Sequence, residues 1–121
     1  MFKTVGLLKR KPGMTTEEFR KYYESQHRLI GEKYLKGKAE KYMRRFLSPY
    51  PNPITGEQVE PEYDVILEIW YASRSAFEET GKILSSPEAA KEIAEDEEKL
   101  FDRPMNRFFF VEEVESELGS S

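Results

Sequence analysis

Cysteine is absent from this chain of 121 residues, and histidine and tryptophan occur once each, as His27 and Trp70. Without cysteine there are no disulfides, no thiol catalysis and no thiolate-bound zinc or iron-sulfur cluster. With a single imidazole, only scattered carboxylates remain as further ligands, so no metal site is expected. Long apolar runs are missing as well. None approaches the roughly 20 residues of a membrane span, and no signal-peptide pattern opens the chain, so the expectation is a cytoplasmic protein with no membrane partner. Positive charge is not in excess: 19 Lys and Arg stand against 23 Asp and Glu, a formal net charge of −4. That balance argues against nucleic acid as the main partner, and the short run Lys9-Arg10-Lys11 reads as a solvated strand end. No phosphate-cradling loop, zinc pattern or Ser/His/Asp motif stands out. What is present, 38% hydrophobic and 13% aromatic residues, suffices for one globular domain with a real core.

The chain is organised around Lys9 to His27. An apolar strand beginning at Phe2, with its centre at Val5 to Leu8, runs through the basic residues to Lys11, and a Pro12-Gly13 turn follows. A helix then starts with a full set of entry signals: Thr15 stands three residues before Glu18, the spacing of a capping box, and Met14 and Phe19 take the positions of a hydrophobic staple. Its apolar face runs through Phe19, Tyr22, Tyr23, His27, Ile30 and Tyr34 at helical spacing, and Gly37 ends it after about Leu35. Lys41 to Ser48 reads as a second strand. Between Pro49 and Pro61 lie four of the seven prolines, a stiff connection of the kind that forms a lid, a binding loop or an interface arm. Tyr63 to Tyr71 is the clearest strand, rich in β-branched and aromatic residues. Ser73 or Ser75 caps the next helix, through Phe77, Ile83 and Leu84. Ser86-Pro87-Glu88 opens another, whose apolar face includes Ala89, Ala90, Ile93, Leu100 and Phe101. Met105 to Val114 is the last strand, and residues 115–121 form a polar tail that is expected to be frayed.

Strand-helix-strand repeated, with one extra helix, predicts an α+β fold: a ferredoxin-like sandwich in which a four-stranded antiparallel sheet carries its helices on one face. The other face of such a sheet normally meets water and shows alternating polar residues. Val5 to Leu8, Val65 to Leu67 and Phe108 to Val111 instead run apolar. Burying ~400 Å² of that face is worth on the order of 10 kcal/mol before association costs, so a second copy packed sheet to sheet is the expected partner.

Lys-Arg-Lys-Pro-Gly-Met-Thr from Lys9, then Glu17-Glu18-Phe19, Tyr22-Tyr23 and His27, resemble the opening motif of EthD-like domains in the dimeric α+β barrel superfamily. Tyr63-Asp64 with Glu68 and Trp70, and Asp96-Glu97 with Phe101-Asp102, are similar to that family's later landmarks. The resemblance covers residues 1–114 as one domain. It implies a ferredoxin-like subunit, pairing as a dimeric α+β barrel, and a pocket between each sheet and its helices with His27 at the pocket end of the first helix. Related barrels include cofactor-free monooxygenases, polyketide cyclases, isomerases and dehydratases of hydrophobic, often aromatic molecules.

His27 is the candidate for chemistry, because an imidazole takes and returns protons near neutral pH; its plainer role is a hydrogen-bonded core residue. Asp96 or Glu97 could orient it, or either could pair with Arg103 or Arg107 at the surface. Tyr22 and Tyr23 offer phenolic donors for a substrate oxygen, though aromatics on such a helix are commonly core. Phe19, Trp70, Phe101 and Phe108 are candidates to line an apolar pocket for a flat molecule, and Asp64 is expected to anchor a strand end. The reading is a cofactor-independent enzyme that moves protons on a hydrophobic aromatic or polyketide-like carbonyl or phenol, by dehydration, decarboxylation, isomerisation or cyclisation. His27 is its base, Tyr22 or Tyr23 its donor, and Asp96 the orienter. The alternatives are cofactor-free oxygenation of an aromatic, and a non-catalytic dimer that binds a hydrophobic ligand.

Overall fold

The capping box forms as its spacing requires: the Glu18 amide donates to Thr15 Oγ1 at 3.1 Å and the Thr15 amide to Glu18 Oε1 at 2.9 Å. The computed structural model, which describes residues 1–119, accordingly starts helix α1 at Thr16–Tyr22 and follows it with a π-helical turn, Tyr23–His27, and helix α2, Arg28–Leu35. Gly37, at φ 78°, supplies the left-handed residue that ends the run. One continuous helix was the expectation over this stretch, and the wide turn is the departure from it. There the Arg28 amide donates to the Tyr23 carbonyl, five residues back, and the Glu24 carbonyl it leaves behind accepts from Arg28 Nε at 2.8 Å instead.

Strands β1 (Phe2–Leu8), β2 (Lys41–Phe46), β3 (Val65–Tyr71) and β4 (Arg107–Phe110) form one antiparallel sheet in the order β2-β3-β1-β4. This is the expected α+β sandwich. Helices α3 (Arg74–Leu84) and α4 (Pro87–Glu97) complete it with α1 and α2. Ser73 caps α3, accepting from the Ala76 amide at 3.1 Å. Ser86 precedes α4 but turns its hydroxyl back to the Ile83 carbonyl, at 2.7 Å, so Pro87 and the first-turn acid Glu88 mark that start. The last strand is shorter than its apolar run suggests, because Arg103–Met105 make a tight helical turn and pairing with β1 ends at Thr4 opposite Phe110. Residues 111–119 are exposed and have no regular structure; the end of the expected tail, residues 120 and 121, lies outside the described residues.

The core sits between α1, the π-helical turn and the sheet, where Leu8, Phe19, Tyr23, Val65, Leu100 and Phe101 are buried together. Alternation along the strands sends Lys3, Val5, Leu7, Lys41, Met43, Arg45, Ile66, Glu68, Trp70, Arg107 and Phe109 to the opposite face. That face is less uniformly apolar than expected. Trp70 lies between Lys3 Nζ, 3.7 Å from its ring centre, and Lys41 Nζ, at 4.3 Å. Its indole N–H donates to Glu68 at 2.5 Å, which also accepts from Arg45. Asp64, expected to anchor a strand end or loop, stands just before β3 and takes the Arg10 amide at 2.8 Å. Among the described residues no helix is long and apolar enough to cross a membrane.

Candidate active site

Phe19, Tyr23 and His27 stand at four-residue steps, and on a regular helix at about 3.6 residues per turn each step drifts around the axis. The wider π-helical turn takes in one more residue and returns the drift, so Tyr23 and His27 both face the sheet. Their rings meet edge to face at 5.2 Å, and the His27 ring meets Phe101 in the same way at 5.3 Å.

Asp96, near the end of α4 and 6% exposed, settles which carboxylate faces the imidazole. Its Oδ2 is 2.8 Å from His27 Nδ1, and its Oδ1 accepts the Tyr22 hydroxyl at 2.5 Å. Burial, then the hydrogen bond to Asp96, push the Tyr22 phenol up to about 12, so it keeps its proton and donates it. A carboxylate that accepts on both oxygens requires Nδ1 to carry hydrogen, which leaves the lone pair on Nε2. Nε2 makes no hydrogen bond to the described residues, and none of their buried side-chain nitrogens or oxygens lacks a partner, so this edge of the ring is open.

A cavity of about 110 Å³ lies against His27 between the helices and the sheet. Ile30, Leu35, Leu84 and Ile93 line its helical side, and Leu8, Leu67, Ile69 and Phe108 its sheet side. Residues with polar groups line it at few points: His27, Glu97, Tyr23, Tyr34, whose hydroxyl donates to Glu92 at 2.5 Å, and Tyr42. The Tyr23 and Tyr42 hydroxyls are 3.4 Å apart. Burial raises both phenols above their ordinary range, so both remain donors at neutral pH. Arg44 stands over the Tyr42 ring at 4.9 Å and is held there by two bonds to Glu24, at 3.0 and 2.8 Å.

Of the residues read from the sequence as site candidates, His27, Tyr23, Phe101 and Phe108 border the cavity. Tyr22 and Asp96 stand behind the imidazole, so Tyr22 supports the carboxylate and does not reach a substrate. Phe19 is sealed in the core at 1% exposure, because the turn that follows it begins the cavity wall only at Tyr23. Trp70 is on the far face of the sheet, one residue out of phase with Ile69 and Tyr71. Neither lines the cavity. The proline-rich connection does not border it either.

Tyr42 was not among the candidates. Its signal lies elsewhere in the chain, at Gly31 inside α2: a Cβ there would come within 2.7 Å of the Tyr42 hydroxyl and 2.8 Å of its ring. Gly31→Ala is therefore expected to displace the Tyr42 phenol and separate it from Tyr23. A crystal structure of the variant, or the environment of Tyr42 in NMR spectra, checks this; an unmoved ring would contradict it. A net loss of at most about 2 kcal/mol in stability is expected, since the overlap costs about 1–3 kcal/mol and the gain in helix propensity offsets about 1. No three metal-ligating side chains come together among the described residues.

A family model, the EthD domain, matches residues 11–104. Among solved structures, a protein of Arabidopsis thaliana aligns over 98% of this chain and 100% of its own, with a TM-score of 0.61 and 18% identity. An ethyl tert-butyl ether (EthD) family protein of Bacillus halodurans C-125 aligns over 94% and 100%, with a TM-score of 0.62 and 16% identity. At such identities these likenesses concern the fold. No curated protein sequence matches the chain.

Proposed function

This chain belongs to the EthD domain family, and from that premise we propose that it is an enzyme that moves protons on a hydrophobic carbonyl or phenolic compound. One observation carries the reading: His27 is held at Nδ1 by a buried carboxylate while its other edge opens on an apolar cavity. In this arrangement Nε2 takes a proton from the carbon beside a carbonyl, or from a phenol. Asp96 fixes the ring's orientation and compensates the charge that the ring gains. Tyr23 and Tyr42 supply hydrogen-bond donors for the enolate or phenolate oxygen that forms. Every group in this scheme is a side chain of the chain itself, which is why we propose that no bound cofactor takes part. The cavity, at about 110 Å³, favours a compound of one ring over a fused system, since an engineered void of about 150 Å³ takes benzene.

Proton transfer can be tested without the natural substrate. Cyclohexanone in D2O, with its occupancy of the protein established by saturation-transfer NMR, is expected to exchange its α-hydrogens faster with the protein than in buffer. A bound ketone that exchanges no faster than in buffer would sink the reading.

A second copy of the chain is the proposed partner, covering the sheet face that carries Val5, Leu7, Met43, Ile66, Trp70 and Phe109. Support comes from their position on a face that no helix covers among the described residues, and from Phe109, a large apolar residue left 47% exposed on the edge strand. Sedimentation equilibrium is expected to give a dimer at micromolar concentration, and Phe109→Glu a monomer with an unchanged circular dichroism spectrum. A wild-type monomer at the same concentrations would refute the pairing.

A further inference from the structure

Two neighbouring carboxylates at the end of α4 are put to different uses. Asp96 lies behind the His27 ring, and Glu97 lines the cavity onto which the ring's other edge opens. Glu97 also borders a surface groove with Glu98, Arg103, Asn106 and Phe108, so Glu97 and Phe108 form the wall shared by the cavity and the groove. Its side chain is 23% exposed, and Oε1 is 3.4 Å from Arg103 Nε. Glu97 thus borders the cavity on one side and a solvent-facing groove on the other. The geometry points to Glu97 as the general acid of this site, so that with His27 as base the enzyme eliminates water from, or adds it to, a small cyclic β-hydroxy carbonyl compound. The inference rests on the proton-transfer reading of His27 and adds a second proton-handling group to it.

The step balances within the chain's own residues. His27 Nε2 takes the hydrogen from the carbon beside the carbonyl, and the electron pair of that bond forms the enolate, whose oxygen receives hydrogen bonds from the tyrosines. The enolate collapses to a carbon-carbon double bond as the carbon-oxygen bond of the β-hydroxyl breaks, and Glu97 gives its proton to the departing oxygen, releasing water. The imidazolium then loses one proton to solvent and the carboxylate regains one, so nothing is oxidised or reduced. A carboxyl group suits the acid role here because burial raises Glu97 above the ordinary carboxylate range, against the pull of His27 and Arg103 and with a further push from Asp96. A second group lets the proton reach the departing oxygen without the imidazole having to serve both atoms. A hydroxyl leaving as hydroxide into an apolar cavity carries a large desolvation penalty, and a second, protonated group removes it.

Two probes separate this inference from the reading beneath it. Exchange of cyclohexanone hydrogens in D2O needs only the base and the oxygen donors; conversion of 3-hydroxycyclohexanone to cyclohex-2-enone, followed by the enone absorbance, needs the acid as well. In Glu97→Gln the ratio of elimination to exchange is expected to fall about 100-fold, the usual scale of a lost general acid. His27→Ala is expected to lose both reactions. An unchanged circular dichroism spectrum and urea midpoint report that the Gln variant is folded, and Glu97→Asp, which keeps an acid, is expected to recover part of the elimination. An unchanged ratio in Glu97→Gln overturns the role of Glu97 and leaves His27 as the base. Exchange without elimination by the wild type overturns the elimination chemistry. Neither reaction from the wild type with both probes bound overturns both.

Discussion

Hydrogen exchange into cyclohexanone is expected to fall by about 10²–10⁴-fold in His27→Ala, the range spanned by the loss of a positioned general base. The fall comes from the proton acceptor itself, because among the described residues no other nitrogen base borders the cavity: the remaining residues there with polar side chains are Glu97 and three tyrosines. Stability supplies the control. Removing the ring takes away its edge contacts with Tyr23 and Phe101, yet Asp96 keeps the Tyr22 hydroxyl, and the gap only enlarges a cavity that is already there. A loss of less than about 2 kcal/mol in urea unfolding is therefore expected, because sites built for chemistry often cost stability. The opposite pattern, a loss well above about 2 kcal/mol with exchange no slower than in the wild type, would make His27 a core residue and return the protein to the ligand-binding alternative.

Asp96→Ala has the largest expected effect on folding. It removes one acceptor from two donors at once, His27 Nδ1 and the Tyr22 hydroxyl. A buried donor left without an acceptor costs about 1–3 kcal/mol, so the variant is expected to lose about 2–4 kcal/mol, with the Tyr22 share reduced by its partial exposure. Tyr22→Phe added to it should restore part of the loss, because the stranded hydroxyl is then gone; a double-mutant cycle in urea reads that coupling directly. Exchange is expected to fall as well, by about 10²-fold or more, since the imidazole loses both its fixed tautomer and the charge that compensates its protonation. Additive stabilities, with no coupling between positions 22 and 96, would show that the Tyr22-Asp96 bond is of no consequence in solution. Full exchange activity in Asp96→Ala would remove the carboxylate from the mechanism.

The second-order details of the site were illegible for identifiable reasons. Trp70 and Phe19 are large and aromatic, which marks a pocket lining and a core filler equally well, and only strand phase and the start of the cavity wall separate them from Phe108 and Phe101. Asp96 and Glu97 are consecutive, so no periodicity ranks one over the other; the end of α4 decides it, turning Asp96 to Nδ1 and Glu97 into the cavity. Tyr42 sits in a short strand of mixed pattern, and its partner Gly31 is many residues away, so neither alone signals the close approach that joins them. Tyr22 lies on the apolar helical face as read, but its hydroxyl looks toward Asp96, and that direction depends on where α4 packs.

By itself the sequence determined what depends on near neighbours and on pattern. The Thr15-Glu18 box and Gly37 bound the first helical run, the β-branched run before Tyr71 makes the central strand, and the order of elements requires an antiparallel sheet with helices on one face. The motif from Lys9 to His27 pointed to the family and to its one imidazole. Tertiary structure alone decided the extra residue in the turn at Tyr23–His27, the pairing of that imidazole with Asp96, and the cavity left beside it. Capping, turn chemistry and alternation are local, each set by residues a few positions apart. A hydrogen bond spanning 69 residues exists only because two helices settle on one sheet at a particular distance, and that distance follows from the packing of the whole core.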